Sequence, residues 1–187
     1  MTGYKELCNV FFEEEPRRIA IERILRELPM TMRQAISDYL AAPTGIAAMP
    51  TILFDCQTLY VDLYRPLIDK FGARTWERCE VDHNLWFDHD GMPWFGIGIY
   101  IEKTPGALTT SMSMIHFTFC VEAFDEQSLE LRIENLDGSI PIKNAHDRAS
   151  YAGAAKLAID RIMPDLRNAT AGYGSRTPIG FINLQAQ

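Results

Sequence analysis

The chain has 187 residues, 47% of them hydrophobic, and a formal net charge of −7. That is enough apolar material for one substantial core, and with no Gly/Ser-rich or Pro-rich linker to divide it a single domain over residues 1–187 is expected. An acidic balance disfavours direct contact with nucleic acid, which needs a basic surface for phosphates. With no basic start followed by an apolar run and no apolar span of membrane length, a cytoplasmic protein without membrane contact is expected.

Taken in order, Glu13-Glu14-Glu15 followed by Pro16 suits the start of a helix. Ile21, Ile24, Leu25 and Leu28 then repeat at helical spacing, and the helix is expected to end near Pro29. Arg17, Arg18, Arg23 and Arg26 read as its solvated side, paired with Glu22 and Glu27. Thr31 and Gln34 have the form of a capping box for a second helix carrying Ala35, Ile36, Tyr39 and Leu40 and stopping at Pro43. Tyr60, Leu63, Tyr64, Leu67 and Phe71 predict a third helix, kinked at Pro66 and capped by Gly72. Residues 1–72 are thus expected to be mainly helical.

Residues 77–134 predict an antiparallel sheet of about four strands. Ile115, Phe117, Phe119 and Val121 fall on one parity and His116, Thr118, Cys120 and Glu122 on the other, which is a strand with a dry face. Ile97, Ile99 and Ile101 repeat the pattern, as do Leu129, Leu131 and Ile133. Asp90-Gly91, Thr104-Pro105-Gly106 and Asp125-Glu126-Gln127 supply the joints of a meander. A two-residue turn at Asp90-Gly91 sets Phe87 opposite Trp94 and Trp86 opposite Phe95, and Pro93 suggests an edge strand. Residues 144–163 predict a long helix capped by Asn144 and ended by Pro164, with Tyr151, Ala154, Ala155, Ala158, Ile159 and Ile162 as its apolar stripe. Residues 168–187 read as loop and extended tail, with positions 179–182 docking as a last extended segment. The fold class is α+β, with the long C-terminal helix packed on the sheet.

The charge is regional. Residues 80–137 hold eleven acids against Lys103 and Arg132, whereas the remainder is slightly basic. Asp82, Asp88, Asp90, Glu122, Glu130 and Glu134 therefore stand as candidate partner-binding residues on an acidic sheet. Such a surface suits a non-enzymatic inhibitor or neutraliser of a basic protein, a toxin or a nucleic-acid-handling protein, by competing for sites built to hold phosphates. The alternative is a small-ligand binder or metal-dependent hydrolase with a pocket between sheet and C-terminal helix, lined by Trp86, Trp94, Tyr100, His116 and Tyr151.

Signatures for catalysis are weak. His83, His89 and His116 are the candidate metal ligands, but strand parity sets His83 and His89 on the side opposite Asp82 and Asp88. His116 and Cys120 share a strand face about 13 Å apart, too far for a thiolate–imidazole pair. Cys8, Cys56, Cys79 and Cys120 form no CxxC pair and read as reduced thiols. There is no GxSxG or HExxH, and neither Gly96-Ile97-Gly98 nor Gly172-Tyr173-Gly174 has the lysine or helix of a phosphate cradle. No cofactor is implied.

Overall fold

The alternation at Ile97–Ile101 and Ile115–Val121 forms the centre of the sheet. The computed structural model describes residues 2–41, 60–68, 74–79, 85–102, 112–171 and 180–184. In chain order these are α1 (Thr2–Leu40), β1 (Tyr60–Ile68), β2 (Arg74–Arg78), β3 (Trp86–Phe87), β4 (Pro93–Glu102), β5 (Met112–Phe124), β6 (Leu129–Ile133), β7 (Ile140–Ile142), α2 (Arg148–Ala171) and β8 (Gly180–Leu184). The sheet is antiparallel throughout, in the order β2-β1-β4-β5-β6-β7, with β3 paired to β4 and β8 to β5. Among the described residues it has eight strands rather than about four. The run β3 to β6 is the expected meander, and β7 continues it beyond residue 134.

One parity of these strands makes the core. Val61, Leu63, Phe95, Ile97, Phe117, Phe119, Leu131, Ile133, Ile140 and Ile142 are buried in one cluster with Leu25, Leu28, Met32 and Ile36 of α1 and Tyr151, Ala154, Ala155 and Ala158 of α2. Phe95 stacks on Phe119 at 4.9 Å between ring centroids, and Phe117 meets Phe119 edge-on at 5.4 Å. The alanines of α2 let its backbone lie close against its neighbours. The long C-terminal helix is therefore packed on the sheet, as its apolar stripe implies.

Several local expectations are overturned. The first two helices are one, with Pro16 and Pro29 inside it. The reason is tertiary: Leu25, Leu28, Met32 and Ile36 make one continuous buried stripe across Pro29, and packing outweighs the hydrogen bond that proline removes. Thr31 and Gln34 do not cap; Thr31 Oγ1 donates to the Glu27 carbonyl at 2.9 Å and Gln34 Nε2 to Asp38 Oδ1 at 2.7 Å. The segment expected as a third helix is strand β1 at Tyr60–Ile68. There Val61 and Leu63 face the core in register with Ile99 and Ile97, and period two prevails over period 3.6. Phe71 and Gly72 lie outside the described residues.

The β3–β4 turn is also one residue longer than expected. Trp86 pairs with Trp94 and Phe87 with Pro93. Gly91 N donates to the Asp88 carbonyl at 3.1 Å, Asp88 N donates to the Met92 carbonyl at 3.1 Å, and Gly91 has φ +76°. This is a three-residue loop in which the left-handed glycine closes a bulge. Pro93 does not mark an edge: it is the first residue of a central strand, where its missing amide is tolerated. Helix α2 runs to Ala171 with Pro164 inside it at an exposed position, where water can satisfy the carbonyl that proline frees. Its cap is Asp147, whose Oδ1 accepts from Ala149 N at 3.0 Å, while Asn144 Oδ1 holds His146 N in the turn before. Positions 180–184 dock as an extended segment on β5.

Phe119→Ala is expected to lower the unfolding free energy by about 3–5 kcal/mol, and Phe87→Ala, at a side chain 60% exposed, by no more than about 0.5 kcal/mol. Denaturant unfolding of the two variants checks this; equal losses would contradict the placement of the core.

Candidate functional site

Successive side chains of a strand leave opposite faces, so the register that buries Ile97 and Phe117 against the helices also places the other set. Three rows cross the second face. Trp86, Trp94, Cys120 and Arg132 stand in register. Beside them run Tyr64, Gly96 and Thr118, and Glu134 joins this row: its backbone N donates to the Thr118 carbonyl at 2.9 Å and its carboxylate accepts from Thr118 Oγ1. Asp62, Gly98, His116 and Gly180 form the third row.

A β-bulge shapes the acidic end of this face. Val121 lies opposite Leu131, but it is Ala123 that lies opposite Glu130, so Glu122 is the extra residue. Its carboxylate accepts from Arg132 Nε. Glu130 is exposed and in register with Pro141 of β7. Of the candidate acids, Glu122, Glu130 and Glu134 thus share one region, with Arg132 the base among them.

The β3–β4 turn adds Asp88 and Asp90 at the end of the tryptophan row. Asp88 Oδ1 accepts from Asp90 N at 3.0 Å and Met92 N at 2.9 Å, and Oδ2 accepts from Trp94 Nε1 at 2.9 Å. The Trp94 bond, and next the Met92 bond, hold the Asp88 carboxyl below its ordinary value of 3.8. Asp88 therefore builds the turn and stays charged, while Asp90 projects with its side chain 71% exposed. Asp82 and His83 lie outside the described residues.

The histidines that are described do not converge. His89 is exposed on the turn, where its Nε2 lies 3.2 Å from Asp90 Oδ2. Ligand atoms of Asp88, His89 and Asp90 approach within 4.8 Å of one another, yet the Asp88 oxygens are committed to backbone and indole donors. His116 is buried in the third row, opposite Gly98, four residues along β4 from Trp94, or about 13 Å. The five residues expected to line one pocket are also divided. Trp86, Trp94 and His116, with the position of Tyr100, belong to the second face, whereas Tyr151 is buried in the core between helices and sheet. The Tyr151 hydroxyl donates to the Ala145 carbonyl at 3.1 Å, and burial pushes its pKa up to about 12.

The thiols of Cys79 and Cys120 are held in their protonated, weakly nucleophilic form. Burial pushes Cys79 up to about 11 against the opposing pull of Arg65, and raises Cys120 as well. The arrangement at β1 was hidden by the helical reading of that segment: Asp62, 2% exposed, accepts from Arg78 Nε and from Leu63 N at 2.9 Å, and Arg33 of α1 approaches it at 3.5 Å. An aspartate flanked by Val61 and Leu63 was the available signal, since alternation around an acid marks a strand position that needs a cationic partner. The group ties α1 to β1 and to β2.

Among the described residues no helix is long and apolar enough to cross a membrane. Comparison of the chain with protein-family models, with curated proteins and with solved structures finds no match in any of the three.

Two outcomes follow from these contacts. Asp62→Ala, which leaves Arg33 beside a buried vacancy, is expected to destabilise the fold by about 3 kcal/mol in denaturant unfolding. Because the Asp88 pKa is depressed on folding, the stability it adds is fully present above the unfolded value and is lost as pH falls through the folded one. Asp88→Asn should therefore flatten the acid limb of the stability profile below about pH 4, read from unfolding midpoints; an unchanged limb would contradict the turn described for Asp88.

Proposed function

We propose that this chain is a non-enzymatic binding protein whose acidic sheet face, formed by Glu122, Glu130 and Glu134 with the Asp88–Asp90 turn beside them, engages a basic protein. Such a partner holds phosphate-like anions in its own working site, as a nucleic-acid-handling protein or toxin does. The observation that carries the reading is the bulge between Val121 and Ala123, which leaves Glu122 and Glu130 exposed near one another, with the half-buried Glu134 on the same face beyond Arg132. Carboxylates spaced along adjacent strands present a patterned negative surface that steers a basic partner and fixes its register.

Two further features support binding over catalysis. The half-buried Trp86 and Trp94 stand in the row beside the acids; aromatic groups with low conformational entropy are the usual anchors of protein interfaces. The polar groups of the face are bonded to one another, as in Glu122–Arg132 and Glu134–Thr118. A rigid, pre-paired surface is what an interface uses. A catalytic centre needs a group held ready for a reacting atom.

Glu130→Lys combined with Glu134→Lys is expected to weaken capture of a basic partner at least tenfold, and wild-type capture should itself fall as salt rises. The measurement is an immobilised-chain pull-down read by mass spectrometry, then titration of the recovered partner with both forms, with folding of the variant confirmed by its melting temperature. Equal affinity of the two forms, or capture indifferent to salt, would contradict the reading.

A further inference from the structure

Two tryptophans stand among the acids of the second face. Trp86 is directly opposite Trp94 in the β3–β4 ladder, and Trp94 is directly opposite Cys120 of β5. The register then fixes what flanks the Trp94 indole. On one side Asp88 Oδ2 accepts from its Nε1 at 2.9 Å, which holds the ring in one orientation. On the other, Glu122 follows Cys120 by two residues on β5 and is the diagonal cross-strand neighbour of Trp94, at a spacing of about 7–8 Å that long side chains bridge. Burial first, and then the opposing charges of Arg132 and of Glu122 and Asp88, act on the Cys120 thiol, so both carboxylates bear on the row that holds Trp94.

Each part of this arrangement has capacity to spare. Both indoles are half-buried, so part of each meets solvent. Among the described residues no cation stands over either ring, the pair of that kind being Arg18 over Phe11. Asp88 accepts two hydrogen bonds at Oδ1 and one at Oδ2, and Glu122 accepts one at Oε1; an ionised carboxylate offers about four acceptor positions. Arg132 does not take the place over the rings. Its Nε is held by Glu122 Oε1, and its strand lies two strands from Trp94, about 10 Å at the usual spacing.

We infer that the group recognised here is an arginine side chain of the basic partner, its guanidinium laid against the Trp86–Trp94 pair and donating to the Asp88 and Glu122 carboxylates. The inference rests on the reading of the acidic face as a protein-binding surface and adds the residue type that surface selects. Lysine answers the acids but not the rings. Its ammonium is a compact, strongly hydrated point charge that keeps its water beside an exposed carboxylate, whereas a guanidinium is planar and weakly hydrated, so it stacks on an indole while the donors along its edge reach carboxylates on either side. Acids alone would take either cation; the ordered indole between Asp88 and Glu122 is what separates them.

The test titrates the full chain at low salt with two peptides of equal length and charge, one basic through arginine and the other through lysine, following indole and backbone amide resonances by nuclear magnetic resonance. The arginine peptide is expected to bind at least about fivefold more tightly and to shift the Trp86 and Trp94 indoles, while the lysine peptide shifts amides at Glu122 and Glu130 and leaves the indoles in place. Equal affinities, or indoles that move alike with both peptides, overturn the arginine assignment and leave the acidic face standing as a binding surface. Failure of both peptides to reach Glu122 and Glu130 contradicts that surface, and the arginine assignment falls with it. Trp86→Leu, which keeps the Asp88–Trp94 bond, should remove most of the preference while lysine-peptide binding is unchanged, with folding confirmed by melting temperature; a preference retained in full overturns the contact with the tryptophan pair.

Discussion

The nine-residue antiparallel register between β4 and β5, from Trp94 opposite Cys120 to Glu102 opposite Met112, is the constraint on which the rest depends. It fixes which parity of each strand is dry. A slip of one residue would carry Phe95, Ile97, Phe117 and Phe119 away from the helices and bring Gly96, Gly98, His116 and Thr118 against them. The aromatic contacts of Phe119 with Phe95 and Phe117 penalise that slip, and the strands on either side inherit the choice.

Much of this was legible. Alternating runs with turn residues between them describe antiparallel strands whether or not their partners are known, so β4, β5 and β6 and the meander that joins them could be read. The Ala-rich stripe of α2 could be read for the same reason at helical period. Failures came where long-range packing chose between two patterns the local sequence allows. Tyr60 to Leu67 satisfies both periods, and the free flank of β4 decided for a strand. Pro29 stops a helix in isolation, but the buried stripe on both sides of it carried α1 through. At the β3–β4 turn Asp-Gly suits a two-residue or a three-residue loop; Asp88, bonding Met92 N and Trp94 Nε1, selected the longer one, and with it which residue faces Trp94.

The acidic cluster was legible as composition, whereas its arrangement was not. No count of acids in residues 80–137 reveals that a bulge at Glu122 brings it beside Glu130, or that Asp88 spends its oxygens on its own turn. The paired tryptophans and the Glu122–Arg132 and Thr118–Glu134 contacts tie the side chains of this face to one another. The buried Asp62, held by Arg78 with Arg33 alongside, serves instead to fasten helix to sheet. One face of the sheet is closed by helices; on the other, Asp62, Tyr64, His116, Thr118 and Cys120 are buried as well, and the exposed acids Glu122 and Glu130 stand at the β5–β6 bulge.

The most direct measurement follows backbone amides by nuclear magnetic resonance while an arginine-rich peptide of about ten residues is titrated in at low salt. Shifts are expected to concentrate at Glu122, Glu130 to Glu134 and Asp88 to Asp90 and to vanish at high salt, as exposed charge pairing is screened. Shifts spread evenly over all acidic residues, or centred away from the β5–β6 bulge, would contradict the assignment of that face as the binding surface.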